Sequence, residues 1–379
     1  MYITPTFETG NPLVEFIFIL FNGISEVPLV SSVVSGALIL VGVLIASRRA
    51  AAMMVAGSLI GAGMGLLLGV PYHLITAGLL GYNSVLSAMA LWSGPFTKTN
   101  GATLALSLFN AAMTVIIYLA LDNVLGNMFQ VGGGGYGIPS FTLGFCVATW
   151  MTLLAARYFG VDIFARSPAP EGAISAEGRY HDVVASGVTK LLPGSGNPDN
   201  SEDFHWTVWE FIKAGFTGVA QITFINNWKT GVFWVVGLTL SFSLVSGGIF
   251  NNAYTANWDP LSPLFLAGAM AFIGSLVGAI FAKLVKFPDS EIRSGLHGFN
   301  QALLMIALTA FLPLNLTTFV YALFATIVCT IIIVPAVKNF FGRWGLPGLT
   351  GPFNFAAFFF IWAAPYILSI PFGLGWGRP

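Results

Sequence analysis

Apolar residues arrive along this chain in long blocks, punctuated by glycine, proline and short polar stretches instead of alternating with charge. A helix needs about 20 residues to cross a hydrocarbon core, and blocks of that order run at 29–46, 51–70, 75–93, 101–121 and 138–157. After a polar interval the series begins again at 231–249, 263–282, 294–311, 317–336 and 347–365, which predicts ten crossings, five in each half. A shorter apolar piece precedes each set, at 12–27 and 207–227, and reads as a re-entrant half-helix. Non-helical backbone at membrane depth is tolerated only where protein or a watery cavity surrounds it, so such pieces line a path.

The two series share words as well as rhythm. Gly78-Leu79-Leu80-Gly81-Tyr82-Asn83-Ser84-Val85-Leu86 returns as Gly295-Leu296-His297-Gly298-Phe299-Asn300-Gln301-Ala302-Leu303, and Gly137 to Phe145 returns as Gly345 to Phe353. Both pairs keep their order at nearly one offset, so the chain reads as two copies of one module. An odd number of crossings per copy turns the second copy over, and inverted repeats of this kind build solute pathways where their halves meet. The expected class is an all-α polytopic membrane protein: two inverted repeats of about five transmembrane helices, each with a re-entrant half-helix. Residues 1–158 form the first repeat, 159–205 a polar linker rich in Pro, Gly, Ser and acids, and 206–379 the second repeat.

Composition sharpens this picture. Hydrophobic residues make up 56% of the chain and charged ones 8%, with 44 glycines, where a soluble average has about a quarter charged. Small residues let helix backbones approach in a bilayer, where lipid contacts already satisfy apolar surface. A net charge of zero argues against nucleic acid. Cys146 and Cys329 fall in apolar runs and read as reduced packing residues, not a disulfide framework or metal site. Met1 to Asn11 lacks the basic start of a signal peptide, so the first helices are expected to direct insertion. Under the ten-crossing topology nearly every Lys and Arg, from Arg48 to Arg343, falls on the linker side, with Arg378 opposite. That bias would make the linker cytoplasmic and the termini external in a multi-pass protein of the cell membrane.

At these motifs the chain resembles the urea transporter family, of the bacterial channel-like type. The family signature Leu-Pro-x-x-Thr-x-Pro-Phe is complete at Leu346 to Phe353, and the first copy keeps Pro139, Thr142 and Phe145 with Ile138 and Gly144 substituted. Gly-Leu-x-Gly-Phe-Asn is a second element, kept at Gly295 to Asn300 and, with Tyr82, at Gly78 to Asn83. A third runs from Gly218 to Asn227, with a degenerate partner at Gly23 to Val27. The resemblance implies a homotrimer in membrane lipid, each subunit with its own passive pore for urea, and no cofactor. It also implies cytoplasmic termini, opposite to the charge bias, which leaves the orientation open.

Urea is flat, neutral and polar, and leaving water strips hydrogen bonds that the pore must replace. By the resemblance, Thr142 and Thr350 would set hydroxyls near the centre, able to donate or accept. The alternative is that each bonds a carbonyl one turn back. Carbonyls freed at Pro139 and Pro347 would add acceptors. Glu26 and Gln221, equivalent in the two copies, match the Gln/Glu pair that the family carries at the ends of its filter. An acid at membrane depth is costly enough to suggest a role, the alternative for Glu26 being a solvated or capping one. Tyr82 and Phe299, with Leu86 and Leu303 one turn on, would form the walls of a flat slot, with Val27 and Phe224 as further candidates. Tyr82 in place of Phe would add a hydroxyl at one mouth and, with Gly144, widen selectivity towards other short amides.

Other readings are weaker. An ion-coupled secondary transporter wants buried carboxylates, and Glu26 stands opposite a glutamine. An enzyme wants paired acids, a His/Cys cluster or a nucleophile beside a base within the spans, and none recurs. His297 and His73 read as hydrogen-bonded structural residues, Asp122 and Asp259 as solvated or capping residues near crossing ends, and Gly132 to Gly135 as a turn without the Lys-Ser/Thr of a phosphate loop.

Overall fold

The computed structural model describes residues 7–128, 139–156, 158, 205–245, 266–312 and 315–367, and among them every regular element is helical. The linker at 159–204, Gly132 to Gly135 and Asp259 lie outside the described residues. The first half runs α1 (Pro12–Ser25), α2 (Val33–Ala46), α3 (Arg48–Leu67), α4 (Tyr72–Thr76), α5 (Gly81–Ala88) with a π-turn (Met89–Ser93), α6 (Gly101–Met128) and α7 (Leu143–Ala156). The second runs α8 (Val208–Gln221), α9 (Trp228–Val245), α10 (Ala267–Leu284), α11 (Asp289–Arg293) and α12 (Phe299–Phe311). Then α13 (Leu316–Val328) passes through a π-turn (Cys329–Ile333) into α14 (Val334–Gly342), and α15 (Gly351–Ala363) closes the series.

Helix starts follow local chemistry. The first turn of a helix leaves backbone N–H groups that a short polar side chain can accept. Asn11 does this for α1, ahead of Pro12, and Ser32, Ser47, Thr207 and Asn315 do it for α2, α3, α8 and α13.

Among the described residues, four helices are long and apolar enough to cross a membrane: Arg48–Leu67, Gly101–Leu125, Ala267–Leu284 and Leu316–Gly342. Several of the other blocks are more broken than their hydropathy implies. The block at 29–46 becomes helical at Val33, because Leu29 turns the chain with φ 65°. The blocks at 75–93 and 294–311 each open with a turn around Gly78 (φ 86°) or Gly295 (φ 78°). A Cβ on either glycine would lie within 2.6 Å of backbone from α1 or α8, so both conformation and space demand glycine.

The same backbone events recur in both halves. Left-handed residues pair as Leu29 with Phe224, Gly69 with Lys286, Gly78 with Gly295 and Phe141 with Leu349. Contacts pair too: Gly23, Ser58 and Gly81 crowd together where α1, α3 and α5 meet, as Gly218, Ser275 and Gly298 do among α8, α10 and the start of α12. The halves touch between like elements. Helices α2 and α9 pack side by side, with the Thr230 hydroxyl donating to the Gly42 carbonyl at 2.8 Å. The starts of α7 and α15 meet at the centre of the molecule.

Candidate functional site

Both central helices begin with the signature segment, and each start is held by the asparagine of the other signature phrase in its own half. Asn83 Oδ1 accepts the Phe145 N–H at 2.9 Å, and Asn300 Oδ1 accepts the Phe353 N–H at 3.0 Å. The second family element thus builds the N-terminus of the helix that the first one opens. In the first half Asn83 Nδ2 and the Tyr82 hydroxyl also donate to the Phe141 carbonyl, at 3.0 and 2.7 Å. The Tyr82 hydroxyl is therefore committed to a strained turn, whose Phe141 has φ 46°, instead of facing a mouth. Likewise the Pro347 carbonyl accepts the Trp150 indole N–H at 2.7 Å, so it is occupied by the opposite half.

This scaffold brings Thr142 and Thr350 together, with their hydroxyl oxygens 2.7 Å apart and both residues buried. Neither merely bonds back along its own helix. One turn further on lie Cys146, which the sequence reads only as a packing residue, and Asn354, which it does not single out. The Asn354 nitrogen donates to the Thr350 carbonyl at 2.8 Å and to Thr142 Oγ1 at 3.1 Å, while Cys146 Sγ lies 3.2 Å from Thr350 Oγ1. A carbonyl can only accept, so the amide's orientation is fixed. The only signal for these two was their position, four residues beyond each threonine and hence on the same helix face.

Glu26 is the C-cap of α1 and Gln221 the last residue of α8, and both are buried. Gln221 Nε2 donates to the Ser294 carbonyl at 2.7 Å, which leaves Oε1 as an acceptor. Glu26 has no such donor when ionised. Ser31 stands between, its hydroxyl donating to Glu26 Oε1 and lying 3.1 Å from the carbonyl of Ala77, the counterpart of Ser294.

Leu86 and Leu303 are fully buried and Val27 is buried beside Glu26, whereas Phe299 and Phe224 are half-buried. The Phe224 ring meets Phe145 and Phe96 edge-on at centroid distances of 6.1 and 5.7 Å, which ties this candidate of the second half to the core of the first. His297 binds Glu291 Oε2 through Nε2 at 2.8 Å, and Lys338 Nζ reaches the same oxygen at 3.2 Å. That cluster joins α11, the turn before α12, and α14. Asp122, within α6, accepts from the Ser140 backbone and hydroxyl and so ties α6 to the turn before α7.

A family profile described as Urea transporter matches residues 3–157 and 212–373, which is most of the chain and both halves. The chain belongs to the urea transporter family. Urea transporter 1 of Ovis aries is 30% identical over 353 residues, covering 92% of this chain and 77% of that protein. The protein of the same name from Capra hircus is 30% identical over 352 residues with the same coverage, and that of Rattus norvegicus 27%. Membership in the urea transporter family places the chain among membrane transporters and not enzymes. The break between the matched segments, 158–211, holds the polar linker, so what the urea transporters share here is the two helical halves.

Proposed function

We propose that this chain conducts urea passively, down its gradient, through a pore between its two halves. The halves are inverted repeats, bounded as 1–158 and 206–379 around the linker. The observation that carries the reading is the meeting of Thr142 and Thr350 across the interface, 2.7 Å apart and buried, with Asn354 and Cys146 beside them. A pair of hydroxyls that satisfy each other when the site is empty can part and rebond to a solute with both donors and acceptors, so dehydrated urea regains at the centre what it lost at the mouth. Leu86 and Leu303, both fully buried, offer hydrated ions no charge compensation. Glu26 and Gln221 supply acceptor oxygens at the two ends, with Phe299 and Phe224 as aromatic walls and Val27 and Tyr82 behind them. A homotrimer in the cell membrane, each subunit with its own pore, is the assembly the family resemblance implies.

Passive flux separates this reading from ion coupling, for which Glu26 would have to act without an acidic counterpart. Stopped-flow light scattering on proteoliposomes tests it, with urea, acetamide and formamide as solutes. Wild type is expected to pass urea without an ion gradient. Thr142→Val and Thr350→Val, which keep side-chain volume and remove one hydroxyl, are expected to slow it by about 3- to 10-fold each, the range of one lost hydrogen bond. Flux of the amides but not urea would change the solute, and flux that needs an added ion gradient would overturn the passive pore.

A further inference from the structure

The two ends of the proposed pathway solve one hydrogen-bonding problem differently. At the second-half end, Gln221 carries its own donor and binds the Ser294 carbonyl directly at 2.7 Å. At the first-half end, Glu26 stands where Gln221 does and Ala77 where Ser294 does, yet a carboxylate and a carbonyl are both acceptors and cannot pair. Ser31 lies between them with its oxygen in hydrogen-bonding contact with Glu26 Oε1 and 3.1 Å from the Ala77 oxygen. A serine has one hydroxyl hydrogen. When Glu26 is ionised that hydrogen goes to the carboxylate, the stronger acceptor, and the Ala77 carbonyl loses this donor. When Glu26 is protonated the acid donates to Ser31, and Ser31 passes its hydrogen to Ala77.

We infer that Ser31 is a positioning residue of the first-half mouth, coupling the charge state of Glu26 to the number of acceptors that the mouth offers a urea N–H. The inference rests on the passive urea pore proposed above. In the ionised state a carboxylate oxygen and the Ala77 carbonyl are both available to solute. In the protonated state the relay from Glu26 through Ser31 to Ala77 closes, and one neutral acceptor remains. Ser31 is half-buried, so the relay reaches accessible space. Flux should therefore fall as pH drops.

Among the described residues, other ionisable groups near this point are few. Helix α1 packs against α2, α3, α4 and α5. Across these, α2 has no ionisable side chain, α3 carries Arg48 and Arg49 at its start, α4 carries Tyr72 and His73, and α5 carries Tyr82. On α1 itself Glu15 is at the opposite end, bonded to the Tyr72 hydroxyl at 2.8 Å. His73 is the group that would mimic the effect, and the variants below separate it from Glu26.

The test is urea flux into proteoliposomes of the full chain from about pH 5 to about pH 8.5, a window that takes in perturbed carboxylates and histidine. Wild type is expected to lose about fivefold in flux on the acid side, the worth of roughly one hydrogen bond. Glu26→Gln is expected to conduct with a flat profile. Ser31→Ala should conduct with less than half of the wild-type acid-side loss, because Ala77 is unbridged in both charge states, and Ser31→Thr should restore the full step. An unchanged step in Ser31→Ala, a step that survives in Glu26→Gln, or a flat wild type would each overturn the inference while leaving urea conduction intact. Absence of wild-type urea flux at every pH would instead bring down the pore reading and this inference with it.

Discussion

At the scale of single residues, the central cluster is asymmetric in a way that sets its chemistry. The Asn354 nitrogen donates to Thr142 Oγ1 and to the Thr350 carbonyl, so it orients one hydroxyl of the proposed pore centre directly and holds the backbone that carries the other. Asn354→Leu leaves two buried acceptors without that donor, at a cost of about 1–3 kcal/mol. Urea flux of this variant is expected to fall about tenfold or more, beyond the loss in Thr142→Val, and wild-type flux in the same stopped-flow assay would remove Asn354 from the site. The threonines were legible in the sequence because each lies inside a signature segment at a fixed spacing. Cys146 and Asn354 were not, because a repeat is read by identity, and here one half carries a thiol and the other an amide. Tyr82 taught the opposite lesson: its hydroxyl could be counted from the sequence, but its partner, the Phe141 carbonyl, is 59 residues away.

At the scale of elements, hydropathy found the blocks but not their breaks. Leu29 and Phe224 turn the chain as apolar residues with φ 65° and 62°, so hydropathy does not fall at the turning residue itself. The breaks at Gly78 and Gly295 were more visible, since glycine is the residue that a left-handed turn requires. What holds the following helices is Asn83 and Asn300, each satisfying a buried backbone N–H at the start of α7 or α15. Asn83→Ala and Asn300→Ala are each expected to destabilise the protein by about 1–3 kcal/mol through that orphaned donor. The measurement is a thermal midpoint in detergent, and a midpoint within error of wild type for both variants would remove the asparagines from this role.

At the scale of the whole molecule, the order of the two modules was plain from their shared phrases, whereas the face on which they meet was not. Helices α2 and α9 are mostly apolar, so hydropathy left no pattern for their mutual packing; a polar contact across it is Thr230 donating to the Gly42 carbonyl. A Cβ added at Gly42 would lie 2.7 Å from Cβ of Phe233 on α9. Gly42→Val is expected to wedge the halves apart, with a stability loss of about 1–3 kcal/mol from overpacking and a matching drop in urea flux. A variant that melts and conducts like wild type would show that this contact is dispensable. The contact of like with like, at α2 with α9 and at α7 with α15, also makes the proposed path a palindrome. A molecule entering from either face meets the same succession of groups, so urea entry into empty vesicles and urea exit into urea-free buffer should be equally fast at one saturating concentration. Any rectification then belongs to the letters where the palindrome is misspelt: Glu26 against Gln221, Tyr82 against Phe299, and Cys146 against Asn354.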